Sequence, residues 1–278
     1  MRTIIVPIDF SEQSEYALEA AVKIAKNNGD TEILALHMLE MSNAVINTSN
    51  TEQTTKAVFF LRLAEKKFGE FLDKPIFKDA SITPVVKHFK VFSEVNDVAK
   101  EHNADLIIMG SQGTSGFSEI FVGSNTEKVV RHSDIPVLVL KDRFNKDIFN
   151  DVVYASDFSL ESVDVYKRMS SLFEDLNTKL HLLYVNLPSD RFRSTNEIEE
   201  TVSNFLERAE GNLNKIKDIN FVSDYSVEKG VLNFANKIGA DLIAVATHGR
   251  TGIAHFFEGS ISEDIANHSV LPVMTFKR

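Results

Sequence analysis

Short runs of aliphatic and β-branched residues alternate with stretches of helical periodicity along the whole chain. Residues 3–8 and 152–156 are short β-branched runs and read as buried strands. After Ser11 the apolar positions Ala17, Leu18, Ala21, Ile24 and Ala25 have helical spacing, and Asn28-Gly29 supplies a stop. Ile33–Met38 reads as a second strand, 52–73 as a long helix and Val85–Phe92 as a third strand. Val95, Val98, Ala99 and His102 fall at i, i+3, i+4 and i+7, and Val231, Phe234, Ala235 and Ile238 repeat that spacing. Leu106–Met109 reads as a fourth strand, Ser124–His132 as a helix and Val137–Leu140 as a fifth strand. Strands and helices in this alternation imply a parallel sheet with helices on both faces.

The pattern occurs twice. Thr3-Ile-Ile-Val-Pro-Ile-Asp9-Phe-Ser11 returns as Asp151-Val-Val-Tyr-Ala-Ser-Asp157-Phe-Ser159, an offset of 148. Leu36-His37-Met38 aligns with Leu183-Tyr184-Val185 at 147, and Ala104-Asp-Leu-Ile107 with Ala240-Asp-Leu-Ile243 at 136. Residues 104–140 share 14 identities in 37 positions with their counterparts, so the chain is a duplication. The first copy carries 11 more residues between about 40 and 84, including a polar stretch, Asn43–Gln53, that reads as a loop. The expected division is 1–141 and 151–278, with 142–150 as the linker.

Composition narrows the class. The 278 residues are 43% hydrophobic and 25% charged, which excludes a disordered chain, a collagen-like chain and a rod. No apolar run approaches a membrane span, and Asp9 interrupts the first one too early for a signal peptide. There is no cysteine, so thiol catalysis and zinc–thiolate sites are excluded and a cytoplasmic protein fits. The net charge of −10 and the lack of a basic block argue against nucleic-acid and membrane partners. A phosphorylated ligand must therefore be held by local donors. The eight histidines show no metal-ligand spacing, and neither a P-loop nor a Gly-x-Ser-x-Gly nucleophile elbow is present. The 21 phenylalanines read as core packing, and the pairs Phe59-Phe60 and Phe256-Phe257 as core or interface.

Candidate chemistry follows the strands, because open α/β sheets bind ligands beyond strand carboxyl ends. After the fourth strand stand Gly110, Gly113 and Gly116, then Gly123-Ser124 opening a helix. Glycines permit close backbone approach, and free amides at a helix start favour phosphate. After the first strand of each copy stands an acid, Asp9 or Asp157. It either bonds ribose or adenine groups, or holds Mg2+ beside phosphates, or caps the next helix in competition with Ser11 or Ser159.

On these motifs each half resembles the universal stress protein family, whose ATP-binding members carry Gly-x2-Gly-x9-Gly-Ser/Thr after the fourth strand. Gly110, Gly113, Gly123 and Ser124 match in full, and the strand-one acid, the Ala-Asp-Leu-Ile strand and the closing Pro-Val strand also match. The second copy has Ala246 at the first glycine, then Gly249, Gly259 and Ser260. The resemblance implies two tandem Rossmann-like open twisted five-stranded parallel sheets, order 3-2-1-4-5, in an α/β fold with helices on both faces. It implies ATP as ligand, carried with or without Mg2+ near Asp9 or Asp157, in a stress-response protein that is not an enzyme beyond slow hydrolysis. Asp9 and Asp157 would lie in the nucleotide pockets, and Met38 and Val185 would meet adenine through their backbones. Gly110, Gly113, Gly123, Ser124 and Asn125 would cradle the phosphates of the first site, and His248, Gly249, Arg250, Gly259 and Ser260 those of the second. It further implies pairing through fifth strands, as a pseudo-twofold within the chain or as a homodimer. The alternatives are a scaffold with vestigial sites and a weak ATPase.

The two sites are unequal. The second offers Arg250 as a phosphate cation, but Glu258 would repel anions if it faced inward. Ala246 costs energy if its position needs positive φ. The first site is therefore favoured.

Overall fold

The computed structural model describes residues 1–39, 50–88, 94–111, 124–146, 149–247, 265 and 269–278. They form two compact units, one up to Lys146 and one from Phe149. In the first unit the order is β1 (Thr3–Pro7), α1 (Glu12–Asn28), β2 (Glu32–Leu39), α2 (Asn50–Leu72), β3 (Ile82–His88), α3 (Val95–Glu101), β4 (Leu106–Gly110), α4 (Ser124–His132) and β5 (Val137–Leu140). All pairings are parallel: β1 lies between β2 and β4, β3 flanks β2, and β5 flanks β4. That is the order 3-2-1-4-5.

The second unit repeats it with β6 (Asp151–Ala155), α5 (Val163–Asp175), β7 (Lys179–Asn186), α6 (Thr195–Glu210), β8 (Asn220–Ser223), α7 (Val227–Ile238), β9 (Leu242–Thr247) and β10 (Val273–Lys277). Here β6 lies between β7 and β9, with β8 and β10 outside them, again all parallel.

Side-chain parity builds two cores per sheet. Ile5, Leu34, Leu36, Ile107, Val137 and Val139 pack on Val95, Val98 and Ala99 of α3 and on Val129 of α4. Ile4, Val6, Ile33, Ala35, Leu106 and Ile108 have the opposite parity and are equally buried. Successive strand residues point to opposite faces, so both faces are covered, and α1 lies along β1, β2, β4 and β5. In the second unit Val153, Leu183, Ile243 and Val245 pack on Val231, Phe234 and Ala235 of α7. On the other parity Tyr154 stacks on Tyr166 of α5, and Phe276 meets Phe173 edge-on.

Helix ends follow the sequence signals. The Ser11 side chain caps α1, and Gly29 beyond its end takes φ 83°. Ser194 and Glu197 form a capping box on α6, which Gly211 ends in the left-handed conformation. Three expectations shift. Asn50–Gln53 belong to α2 rather than to a loop. The third strand runs Ile82–His88, three residues earlier than its apolar run suggests, in register Ile33↔Ile82 with β2. Phe59 is 62% exposed, which rules out the core for it; Phe256-Phe257 lie outside the described residues.

The repeated Ala-Asp-Leu-Ile motif has a structural role. Asp105 Oδ2 accepts hydrogen bonds from the backbone N–H of Arg2 at 2.5 Å and of Thr3 at 3.0 Å. Asp241 Oδ2 does the same for Asn150 at 2.7 Å and Asp151 at 3.2 Å. Each carboxylate thus ties the entry of the first strand to the entry of the fourth. The segment 142–150 is bound at both described ends. Arg143 reaches the buried Glu19 of α1 with two hydrogen bonds of 2.6 Å, and Lys23 Nζ donates to the Phe144 carbonyl at 2.7 Å. Phe149 is buried, and its carbonyl accepts from Thr178 Oγ1 at 2.8 Å.

A polar cluster joins α5 to the end of α6. Tyr166 donates to Glu210 at 2.6 Å, and Lys215 Nζ reaches both, at 3.1 and 2.7 Å. Burial, then the bond to Glu210, pushes the Tyr166 phenol up to about 12.

Two expected outcomes follow from these contacts. Asp241→Ala leaves two strand-entry amides without their acceptor at a buried site and lowers stability by about 2–3 kcal/mol, read as a lower urea midpoint with unchanged slope. Asp105→Ala, at a more exposed site, costs less; equal losses would contradict the burial argument. For Tyr166, the unfolded chain loses the proton near pH ~10, whereas the folded chain holds it to about 12. Stability present below pH ~10 is therefore lost as pH rises between those values. Tyr166→Phe makes the melting temperature fall less steeply there, though not flat, because Tyr154 and Tyr184 are shifted the same way. An unchanged slope would refute the assignment.

Candidate functional site

Strand order reverses where β1 meets β4, in register Ile4↔Leu106 and Ile5↔Ile107. Their carboxyl ends bring together Asp9, two residues past β1, and Gly110, the last residue of β4. Between them lies the first turn of α1. Asp9 Oδ1 accepts from the Ser11 amide at 3.0 Å and its hydroxyl at 2.5 Å. Ser11 Oγ accepts from the Ser14 amide at 3.2 Å, so the serine, not the acid, caps α1. Burial works to raise the Asp9 pKa, but the Ser11 hydroxyl and amide and the Ser14 hydroxyl hold it below the ordinary carboxyl value.

The loop is fixed by an aromatic cluster that the sequence did not single out. Phe10 has φ 65°, rare for a bulky residue. Its ring packs on His37 at 4.7 Å, Phe68 at 5.1 Å and Phe71 at 5.6 Å, with Lys67 Nζ 5.3 Å from its centroid. His37 Nδ1 donates to the Ile8 carbonyl at 2.7 Å. Burial and Lys67 lower the His37 pKa against the opposing pull of Ile8 and Asp9, so the ring is neutral near pH ~7.

Gly110 is explained by sterics rather than by φ. It is paired in the sheet with Leu140, and a Cβ there would stand 2.3 Å from the Gln13 carbonyl oxygen. Its own carbonyl accepts from Thr126 Oγ1 of α4 at 3.1 Å. The next residue, Ser111, is fully buried, and its hydroxyl has no partner among the described residues. Asn125, second in α4, is half-buried. Met38 sits in the core at 5% exposure, in register with Lys87 of β3. Ser124 opens α4. Gly113 and Gly123 lie outside the described residues.

The second unit repeats the frame with other side chains. Phe158, with φ 52°, packs on Tyr184 at 6.3 Å and Phe205 at 5.2 Å. Asp157 Oδ1 accepts from the Ser159 amide at 3.1 Å and lies 3.5 Å from a guanidinium nitrogen of Arg278. Arg278 is an addition to the expected set; no motif marked it. The Ser159 hydroxyl is a buried atom without a partner among the described residues. Ala246 is an extended residue of β9 paired with Phe276, so the expected penalty for positive φ there does not arise. Val185 is half-buried, and Gly230 of α7 approaches it so closely that a Cβ would come within 2.7 Å of Cγ1. One residue further, Asn186 borders a cavity of about 280 Å³ lined also by Ile198, Glu199 and Phe221. His248, Gly249, Arg250, Gly259 and Ser260 lie outside the described residues.

The offset of 148 that carries Asp9 onto Asp157 also carries Phe10 onto Phe158. That repetition was the available signal for the aromatic cluster. Among the described residues no group of three His, Asp or Glu could hold a metal ion by itself, and no helix is long and apolar enough to cross a membrane.

Comparison with known proteins agrees with this frame. The sequence profile of the Universal stress protein family matches residues 1–141 and again 149–277. Universal stress protein MJ0577 of Methanocaldococcus jannaschii is 32% identical over 158 residues, spanning 50% of this chain and 94% of its own. Universal stress protein G of Escherichia coli O157:H7 is 29% identical over 143 residues, 50% of this chain and 99% of its own. Among solved structures, a universal stress protein from Archaeoglobus fulgidus DSM 4304 superposes with a TM-score of 0.72 at 22% identity, covering 99% of this chain and 98% of its own, a likeness of fold. The chain belongs to the universal stress protein family and carries that family's domain twice.

Proposed function

We propose that this chain is a cytoplasmic stress-response protein that binds adenine nucleotide as a regulatory ligand, in domains 1–141 and 151–278 joined by 142–150. The observation that carries the reading is the complete Gly-x2-Gly-x9-Gly-Ser set of Gly110, Gly113, Gly123 and Ser124, which begins on the strand beside Asp9 at the reversal of strand order. The residues fit such a ligand. Gly110 lets the first turn of α1 close against β4, α4 opens on Ser124, and the buried Ser111 hydroxyl lacks among the described residues a partner that a bound oxygen would supply.

In this reading Asp9 and Asp157 bond the ribose or adenine, and the backbones of Met38 and Val185 meet the base. Amides of Gly113, Gly123, Ser124 and Asn125 hold the phosphates in the first domain, and His248, Gly249, Arg250, Gly259 and Ser260 do so in the second. Mg2+ arriving with the phosphates falls near the strand-one acids. Holding is favoured over turnover, because hydrogen bonds from Ser11 stabilise the Asp9 anion and make it a poor general base. Association of chains through fifth strands belongs to the same reading and is read from light scattering at several concentrations.

Freshly purified protein, denatured and analysed by mass spectrometry, is expected to release ATP. Protein that neither carries nor takes up nucleotide in calorimetry would make it a scaffold with vestigial sites. With Mg2+ present, Gly113→Val combined with Gly123→Val is expected to remove most ATP binding; unchanged binding would sink the preference for the first site.

A further inference from the structure

We propose that the cavity between β7, β8 and the start of α6 in the second domain binds a small organic amine with an aromatic or other apolar body. The site goes beyond the nucleotide reading and does not depend on it. That reading uses the reversal of strand order between β6 and β9, whereas this cavity stands at the edge of the sheet, where β8 is the last strand.

Strand parity brings its walls together. β7 and β8 run parallel in register Tyr184↔Phe221 and Asn186↔Ser223. Tyr184 stacks on Phe158, which meets Phe205 of α6 edge-on, so Asn186, Phe221 and Ser223 share the α6 face of the sheet. Ile198, one turn into α6 and buried, closes the apolar side. The volume of about 280 Å³ is just below the usual range of small-molecule pockets, so the occupant is a single ring or a short chain. The wall is fixed before any ligand arrives. The Asn186 side-chain amide donates to the Arg193 carbonyl at 2.9 Å and accepts from the Arg193 N–H at 3.0 Å, which pins the approach to α6.

The polar groups select the class of ligand. Thr195, Glu199 and Ser223 line the cavity, and among the described residues neither the Glu199 carboxylate nor the two hydroxyls have a partner. All three can accept from an ammonium. The Phe221 ring is 48% exposed, and an open ring attracts a cation as well as an apolar body. Arg193 spends its guanidinium on Glu197 at 3.5 Å, and Glu197 closes the capping box of α6. An anion would therefore meet the carboxylates of Glu197 and Glu199 at a helix start that is already capped. The lining belongs to the second copy. With Leu36 aligned on Leu183, the register places Leu39 at Asn186 and Val86 at Phe221.

The test is a titration of the isotope-labelled full chain with phenethylamine, followed by amide chemical shifts, beside phenethyl alcohol and hydrocinnamate as neutral and anionic probes of similar size. The amine is expected to shift the amides of Thr195, Ile198 and Ser223 saturably with a Kd on the order of 1 mM, and hydrocinnamate to bind at least ~10-fold more weakly. Glu199→Gln weakens the amine about 3–5-fold and leaves the alcohol unchanged. Phe221→Leu keeps an apolar wall without the ring and weakens the amine more than the alcohol. Both side chains are exposed, so the melting temperatures of the variants should match the wild type; should Phe221→Leu fail to fold, Glu199→Gln and the three probes on the wild type still decide. Saturating ATP leaves the Kd of the amine unchanged. Hydrocinnamate binding as tight as the amine's, amine binding that ignores Glu199→Gln, or no saturable shift up to ~30 mM overturns the inference and leaves the nucleotide reading untouched. Loss of amine binding in ATP overturns it as well, by making the cavity part of the nucleotide site.

Discussion

A parallel sheet buried on both faces must send every connection outside, over one face or the other. Where the connections change face, two neighbouring strand ends are left without a loop crossing above them. In each domain that gap falls between the first and fourth strands, at β1–β4 and β6–β9. The positions of Asp9, Gly110 and the first turn of α1 depend on this one constraint. In the nucleotide reading proposed above, it also accounts for a site that draws largely on backbone. Strand ends and helix starts are where amides lack intramolecular partners, and an acidic protein has few other donors to offer an anion.

Several motif residues serve the fold as well as, or instead of, a ligand. Asp105 and Asp241 accept from the amides that open the first strands. Gly110 is small because Gln13 of α1 lies against it. Phe10 and Phe158 accept a strained backbone in exchange for burying a ring against the second strand and the helix beyond it. These contacts hold the frame to one shape in both copies, so the chemistry could diverge on it. Ala246, where the first copy has Gly110, is extended and carries no left-handed requirement.

The copies diverge in the side chains around that frame. His37 in the first domain is replaced by Tyr184, and Asp142 by Arg278, with the strand framework unchanged. Duplication inside one chain allows this: one copy retains the full glycine set, while the other has Ala246 at the first glycine and Arg278 beside its strand-one acid. The acid that follows the first strand keeps its bond to the serine amide two residues on in both copies, at 3.0 and 3.1 Å. What differs is the group across from it.

Local periodicity was enough for strand and helix identity, and the offsets of 148, 147 and 136 were enough for the duplication. Both are written in near-neighbour spacing, which the chain displays directly. Boundaries were less legible. The third strand begins at Ile82 because pairing with β2 stabilises exposed residues that no apolar pattern marks. The acids and glycines of the sites could be picked out because they stand next to strands in sequence. Their partners could not. Arg278 is 121 residues from Asp157, and His37 is 29 from the Ile8 carbonyl it holds. The motif residues and the fold that aligns them are thus determined by sequence alone, whereas the groups facing them are decided by tertiary packing, because a contact across the sheet leaves no trace in local spacing.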